Sequence, residues 1–424
     1  MLHASITQSP IKRSIVSRRR FQLAGALLFA AVIPFVARLI VSDFDPTPTA
    51  NALIGNGLAV VLAFWMRLSI ETYPGIRASY VILPTTAAAH AIIVVLLLLL
   101  RLPYDRIGLT LGFLLHAAWY YAVYFSVQRH ATPRIAVIPY GRVDALTSID
   151  RVSWLMLREP SLDQVNQCDA IVADFAADLP DEWEAFLADA ALAGRIVYQV
   201  KQLSESFTGR VELGHLSENS FGSLLPARGY FHLKSLGDFL FASILLPIAL
   251  PVMAAVALAI RAEGPGPVLF RQARIGYAGA RITVYKFRTM RLVSVEDERR
   301  AAMTGKDDDR ITRVGAYLRR TRLDELPQIF NILKWQMSWI GPRPEAEVLS
   351  IWYTSELPFY RYRHVVKPGI SGWAQVNQGH VAEVAEVNHK LQYDFYYIKY
   401  FSPWLDLLIL FRTVKTMLSG FGSR

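Results

Sequence analysis

Four long apolar stretches open the chain, at residues 21–41, 52–68, 80–100 and 107–127. Each approaches the roughly 20 residues that an α-helix needs to cross hydrocarbon, so the pattern predicts a four-helix transmembrane region over residues 1–130. Lys12, Arg13, Arg18, Arg19 and Arg20 precede the first stretch, and no small-residue cleavage site follows it before Arg38 and Asp43. A retained helix is therefore expected rather than a signal peptide. Arg67 and Arg77 lie between the second and third stretches, and Arg129, Arg134 and Arg142 follow the fourth, while the first connection carries Asp43 and Asp45. That bias places both chain ends at the cytoplasmic face. The connection with Arg101 and Arg106 runs against it, with Asp105 between them.

The pattern changes over residues 134–228. Short apolar runs at 135–138, 170–173 and 195–200 alternate with a helical stretch at 183–192, which reads as a small Rossmann-like α/β domain with a parallel sheet. Only Gly141 follows the first run, so the G-x-G-x-x-G turn of a dinucleotide site is missing and a structural or regulatory role is expected. A fifth apolar run, residues 239–260, has no charge inside it but holds Pro247 and Pro251. A spanning helix here would carry everything after Arg261 to the opposite face. A break at either proline would return the chain to the face it entered from, so a re-entrant helix is predicted, with a kinked spanning helix as the alternative.

Composition sharpens this picture. Hydrophobic residues make up 53% of the 424, which is high for a soluble protein, and the single cysteine, Cys168, excludes a disulfide framework and a multi-cysteine metal site. The formal charge of +10 calls for an anionic partner. Residues 261–343 hold 17 basic and 9 acidic side chains, an excess of eight, so the charge is local. Several of these bases alternate with aromatic and glycine residues, as in Phe270-Arg271-Gln272-Ala273-Arg274-Ile275-Gly276-Tyr277 and Val284-Tyr285-Lys286-Phe287-Arg288-Thr289-Met290. Such alternation suits a strand or hairpin with a basic face, where guanidinium forks can clamp phosphate oxygens, with a solvated or headgroup-facing charge at least as open for any single arginine. No nucleic-acid-binding module is recognisable, so lipid and substrate phosphate account for the charge and no nucleic-acid partner is expected.

Downstream lies Leu323-Asp324-Glu325-Leu326-Pro327-Gln328, preceded by Arg319, Arg320 and Arg322. A carboxylate can attack phosphorus when nearby cations offset the repulsion between two anions, and a neighbouring carboxylate can hold magnesium. Spacing alone favours a solvated or salt-bridged pair over a catalytic one.

Residues 234–417 resemble the catalytic domain of the bacterial sugar transferases, the monotopic polyprenyl-phosphate hexose-1-phosphate transferases. The resemblance rests on seven ordered blocks: Asp238-Phe239 with its proline-bearing helix, Phe270-Arg271-Gln272 with Gly276, Tyr285-Lys286-Phe287-Arg288-Thr289-Met290, Asp309-Arg310-Ile311-Thr312-Arg313-Val314-Gly315, the Asp324-Glu325 block, Gly341-Pro342-Arg343-Pro344, and Lys367-Pro368-Gly369-Ile370-Ser371-Gly372-Trp373-Ala374-Gln375-Val376-Asn377. The preceding helices and α/β domain are similar to the longer members, which initiate exopolysaccharide, capsule or O-antigen synthesis. The resemblance implies a membrane-bound catalytic domain, residues 234–424, on the cytoplasmic side of the bacterial inner membrane. There it would transfer a hexose 1-phosphate, glucose or galactose, from a UDP-sugar to undecaprenyl phosphate with release of UMP. Asp324 would be the nucleophile and form a phosphosugar-aspartyl intermediate, Glu325 would bind Mg2+, and Lys286, Arg288, Arg310, Arg319 and Arg343 would bind substrate phosphate. Pro251 falls at the family's helix break, although Leu250 stands where a small polar residue often precedes it, so Pro247 is expected to share the break. The aromatic segments 352–362 and 393–411 are expected to lie among lipid headgroups, and a homodimer through the membrane helices or the middle domain is a further expectation. A catalytically silent scaffold of a polysaccharide assembly complex is the alternative function.

Overall fold

The structure, a computed structural model, describes residues 16, 18–40, 45–70, 78–127, 133–147, 149, 152–211, 226–291, 310–378 and 384–419. Lys12, Arg13, Asp43, Arg77, Arg129 and Asp309 of the preceding reading lie outside them. Two compact units divide the chain, residues 1–209 and 210–424.

In the first unit, α1 (Arg19–Ile40), α2 (Pro46–Ile70), α3 (Ala78–Leu99) and α4 (Arg106–Val127) are long apolar helices at the positions the hydropathy predicts. Alanines line their contacts, with Ala26, Ala30, Ala59, Ala63 and Ala89 fully buried, because small side chains let helices approach closely where lipid supplies no hydrophobic drive. Leu58, Trp65, Leu98 and Leu114 point outward. Arg38 at the end of α1 pairs with Asp105 before α4 at 2.6 Å. These two connections therefore share one side of the bundle, and Asp105 offsets the basic residues that ran against the charge bias.

The α/β domain of the same unit holds β1 (Arg134–Val137), β2 (Ser153–Met156), β3 (Ala170–Ala173) and β4 (Val197–Gln199) in one parallel sheet of order β2-β1-β3-β4. Helix α5 (Asp181–Leu192) occupies the predicted stretch. β3 is buried along its whole length, as an internal parallel strand must be. β2 escaped the sequence reading because it is an edge strand whose Leu155 and Met156 are exposed, which erases any inward periodicity. The run at 195–200 is shorter as a strand than expected: the Gln199 side chain accepts the Lys201 N–H at 2.6 Å and starts α6 (Val200–Thr208). Strand order reverses between β1 and β3, the switch point where open α/β sheets bind ligands. Here Asp174 fills it. Its carboxylate accepts N–H groups from Arg142 at 3.0 Å, Ala176 at 3.1 Å and the Gln199 amide at 3.2 Å. The position opposite is Gly141, at φ +79°, where a Cβ would stand 2.5 Å from the Asp174 carboxylate.

The second unit is built on α7 (Arg228–Glu263), a 36-residue helix that runs unbroken through Pro247 and Pro251 and begins eleven residues before the apolar run. The expected division into two helices is thus not seen in the backbone. At its start Lys234 pairs with Asp406 at 2.9 Å, and Asp238 accepts the Ser338 hydroxyl at 2.5 Å. At its end Glu263 accepts the Val314 N–H at 2.9 Å. The face between packs on the same unit, Ala242 and Ala249 in one apolar cluster and Met253, Val256 and Ile260 in another, with Leu326 and Phe330 common to both. Against it lie the antiparallel hairpin β5 (Leu269–Ile275) and β6 (Arg281–Phe287), which the basic alternation had suggested, then α8 (Arg313–Thr321), the parallel pair β7 (Ser338–Ile340) and β8 (Gly369–Ser371), α9 (Glu347–Glu356), α10 (Val384–Lys399) and α11 (Pro403–Ser419). The aromatic tail is a correction. Tyr353, Tyr360, Phe395, Tyr396 and Tyr397 are buried inside the unit rather than facing headgroups, because the helices that carry them turn those rings toward β7, β8 and one another.

Replacement of Gly141 by alanine is expected to destabilise the α/β domain by about 1–3 kcal/mol, since it adds a Cβ at positive φ against a buried carboxylate. Thermal denaturation followed by near-UV circular dichroism checks this, and a midpoint equal to wild type would contradict it.

Candidate active site

Side chains alternate along β6, so Ile282, Val284 and Lys286 share the face that packs inward. This alternation delivers the Lys286 ammonium into the protein. From the other side comes α8, capped by the Thr312 hydroxyl accepting the Gly315 N–H. Gly315 is required there: a Cβ would lie 2.1 Å from the Thr289 carbonyl. The helix ends at Arg322, which adopts φ +61°, and the chain then tightens into a 3-10 turn, Leu323–Gln328, that carries Asp324 and Glu325 beneath the hairpin. Asn331, fully buried, clips the turn's continuation to β6 by accepting the Tyr285 N–H and donating to the Thr283 carbonyl.

The two carboxylates differ sharply in surroundings. Glu325 is buried, and its Oε1 accepts from Lys286 Nζ at 2.8 Å and Arg343 Nη2 at 2.7 Å, with Arg322 at 3.9 Å from Oε2. Among the described residues the Asp324 carboxylate makes no hydrogen bond or ion pair, although Lys286, Arg343 and Arg319 act on it electrostatically. Burial pushes Asp324 above the ordinary aspartate value, and the adjacent Glu325 charge adds to the rise. Burial acts on Glu325 in the same direction but is outweighed by Arg343 and Lys286, which hold it well below. Burial and the Arg343 charge lower Lys286 to about 8. The site thus keeps one carboxylate tied up as an anion and leaves the other as an unbonded oxygen donor facing cations.

Arg343 owes its position to groups that sequence reasoning missed. Its carbonyl accepts from Arg363 at 2.9 Å, and the next carbonyl, Pro344, accepts from Arg274. Arg363 also pairs with Asp394 at 2.7 Å and donates to the Tyr360 hydroxyl oxygen at 2.8 Å, while Lys390 pairs with Glu345. Behind the loop Gly341, Gly369 and Gly372 bring two backbones together. A Cβ on Gly369 would lie 2.1 Å from the Gly341 nitrogen. The two arginines that hold this backbone, Arg363 and Arg274, sit 20 and 69 positions from Arg343, too far for any spacing signal.

Of the residues proposed from sequence, Lys286, Arg319 and Arg343 converge on Asp324 and Glu325; Arg319 Nε donates to the Thr289 hydroxyl at 3.0 Å and faces Asp324 electrostatically. Arg288 goes elsewhere. Its guanidinium donates to the carbonyls of Ile260, Gly264 and Pro265 and so caps the end of α7. Arg310 enters through its backbone, its carbonyl accepting the Arg291 N–H at 2.8 Å. Among the described residues no cluster of three or more His, Cys, Asp or Glu forms a metal site. One oxygen, Glu325 Oε2, is not taken up by Lys286 or Arg343 and suits an ion that also needs substrate phosphates.

Comparison with known proteins places residues 229–420 in the family described as bacterial sugar transferase. The chain is 44% identical over 376 residues, 88% of each protein, to the UDP-N-acetylgalactosamine-undecaprenyl-phosphate N-acetylgalactosaminephosphotransferase of Aeromonas hydrophila. It is 41% identical over 184 residues, 43% of this chain and 39% of the relative, to the UDP-glucose:undecaprenyl-phosphate glucose-1-phosphate transferase of Escherichia coli. A protein of the same description from Caulobacter vibrioides is 39% identical over 47% of this chain and 74% of its own length.

Two tests follow from the buried charges. Glu345→Ala would strand Lys390 and Arg363 without that carboxylate and is expected to remove about 3–5 kcal/mol of stability, read by chemical denaturation. Glu325 and Glu345 are both held below their ordinary 4.5. The stability they contribute is complete above that value and is lost as pH falls through their lower folded values, so the melting temperature should decline below about pH 4.5. A melting temperature that stays flat there would contradict the assignment.

Proposed function

We propose that this chain, which belongs to the bacterial sugar transferase family, transfers a sugar 1-phosphate from a UDP-sugar to undecaprenyl phosphate through a covalent intermediate on Asp324. The observation that carries this reading is the unequal dyad: Glu325 is bound by two cations while Asp324 is left without a bond. An Asp324 oxygen attacks the sugar-bearing phosphorus, the bond from that phosphorus to the bridging oxygen breaks, and UMP leaves with the bridging oxygen's electron pair. A phosphate oxygen of the lipid then attacks the same phosphorus and frees Asp324. Lys286, Arg319 and Arg343 offset the charge that would otherwise repel an anionic nucleophile from an anionic substrate. Glu325 keeps Lys286 and Arg343 in place, and its Oε2 would hold Mg2+, whose contribution is to neutralise phosphate charge.

The packing of α7 supports a re-entrant arrangement. From Asp238 to Glu263 an α-helix covers about 37 Å, more than the ~30 Å of bilayer hydrocarbon. Both ends nevertheless bond to one unit, and Leu240, Phe241, Ile244, Ile248 and Leu258 between them are exposed. A spanning helix would put its two ends in different compartments, so we assign both ends of α7 to the cytoplasmic face, the reversal being a bend at Pro247 or Pro251 within the continuous helix, while α1 to α4 cross. Because the relative matched over 88% of its length carries N-acetylgalactosamine in its name, UDP-N-acetylgalactosamine is the first donor to test, ahead of UDP-glucose and UDP-galactose.

UMP release from these donors, with undecaprenyl phosphate and Mg2+, is expected from wild type and is expected to fall at least about 10³-fold in Asp324→Asn. Activity surviving that change would move the nucleophile elsewhere, and silence of wild type with every donor would favour the scaffold reading. Since the Glu325 charge raises Asp324, whatever activity Glu325→Gln retains should have its acidic limb at lower pH than wild type. For topology, single cysteines at Leu192 and Ser355 in a Cys168→Ser background should both resist impermeant maleimide in intact cells. Labelling of Ser355→Cys alone would sink the re-entrant arrangement.

A further inference from the structure

Beside the dyad lies a cavity of about 170 Å³ that opens on Glu325, Arg320 and Arg322 and is walled by Leu326, Trp339, Ile370 and Val376 on one side and α11 on the other. We infer that this cavity receives the phosphate-proximal isoprene unit of the acceptor lipid, which extends the transferase reading above and rests on it. Three observations point to an apolar chain ending in phosphate.

Size is the first. A cavity of ~150 Å³ admits a benzene-sized body, so this one takes a five-carbon unit and little more. The second is polar saturation. Thr413 Oγ1 donates to the Ile409 carbonyl and bonds the Ser371 hydroxyl at 2.5 Å, and Thr416 Oγ1 donates to the Thr413 carbonyl. Those hydroxyls serve the protein itself. Among the polar side-chain atoms of Ser371, Gln375, Thr413 and Thr416, Gln375 Oε1 is the buried one left without a partner. Away from the end where Arg320, Arg322 and Glu325 stand, a sugar ring would bring several hydroxyls to a wall whose one buried unpartnered acceptor is Gln375 Oε1, and burying them without partners is costly.

Continuity with apolar surface is the third. Trp339 packs edge-on against Phe241 of α7 at 5.4 Å, and Phe241 is itself exposed on the helix assigned to the membrane. On α11 the exposed residues Leu410, Val414 and Met417 follow a helical spacing of four and three, and Met417 also lines the cavity. An isoprenoid leaving the cavity would therefore meet apolar surface on both sides. Its phosphate would meet the arginines and the phosphosugar carried on Asp324.

The ping-pong scheme separates donor from acceptor and so provides the test. Exchange of radiolabelled UMP into the active UDP-sugar needs only the donor half-reaction, whereas product formation needs undecaprenyl phosphate presented in detergent micelles. Val376→Phe fills the cavity and is expected to raise the KM for undecaprenyl phosphate about tenfold or more while exchange stays within about twofold of wild type. Thr413→Val, which keeps the volume and removes the hydroxyl, should leave the donor KM unchanged. A higher donor KM in Thr413→Val would assign the cavity to sugar or uridine and overturn the inference, as would an unchanged lipid KM in Val376→Phe. Absence of exchange in wild type would instead defeat the transferase reading on which the inference stands.

Discussion

One carboxylate oxygen holds the catalytic unit's charges in order. Glu325 Oε1 accepts from Lys286 on the hairpin and from Arg343 on the loop after β7, joining segments far apart in the chain. Without that anion two cations would face each other inside the protein with Arg274 close by; burial, and after it the Arg343 charge, already lowers both Lys286 and Arg274. Asp324 benefits because its neighbour has already engaged those cations. It stays partly buried and unbonded, raised by that burial and by the Glu325 charge, which is the state that the proposed attack on phosphorus calls for. The same arrangement is unfavourable for folding, as an unpaired carboxylate beside another is, and a surrounding set of ion pairs offsets it.

Those surrounding pairs form a second layer behind the loop. Arg363, Lys390 and Asp394 are buried together beside the partly buried Glu345, and their purpose is geometric: Arg363 grips the backbone of Arg343 itself. Close glycine contacts between residues 341 and 369–372 let that backbone approach β8. Rigidity at Arg343 is thus provided by charges that never face the substrate.

The membrane-facing helix poses the opposite problem, since one face must meet lipid and the other a polar catalytic unit. α7 meets it by segregation along its length. Lys234 and Asp238 bond to the unit at the start, Glu263 and the Arg288 cap do so at the end, and the exposed residues between are apolar. Arg288 takes a role its local context does not show: the alternating segment resembles a phosphate clamp, and its guanidinium donates to the carbonyls of Ile260, Gly264 and Pro265 at the end of α7. In the α/β domain Asp174 plays a comparable part, occupying the switch point with a carboxylate of the protein's own.

Hydropathy and alternation were enough to locate the four N-terminal helices, the parallel sheet's buried strands, the basic hairpin and the paired carboxylates, because burial in lipid or in a sheet imposes a period that a single strand or helix carries within itself. β2 was illegible since an edge strand has no buried face to mark, and the aromatic tail was misread since composition cannot tell a ring packed on a neighbouring ring from one packed on lipid. Which cations reach Glu325, which residues hold Arg343, and which arginine caps a helix were decided only by the tertiary structure. Each depends on groups tens of residues apart meeting within about 3 Å, and hydrogen bonds and ion pairs of that kind follow distance in space, to which separation along the chain is no guide.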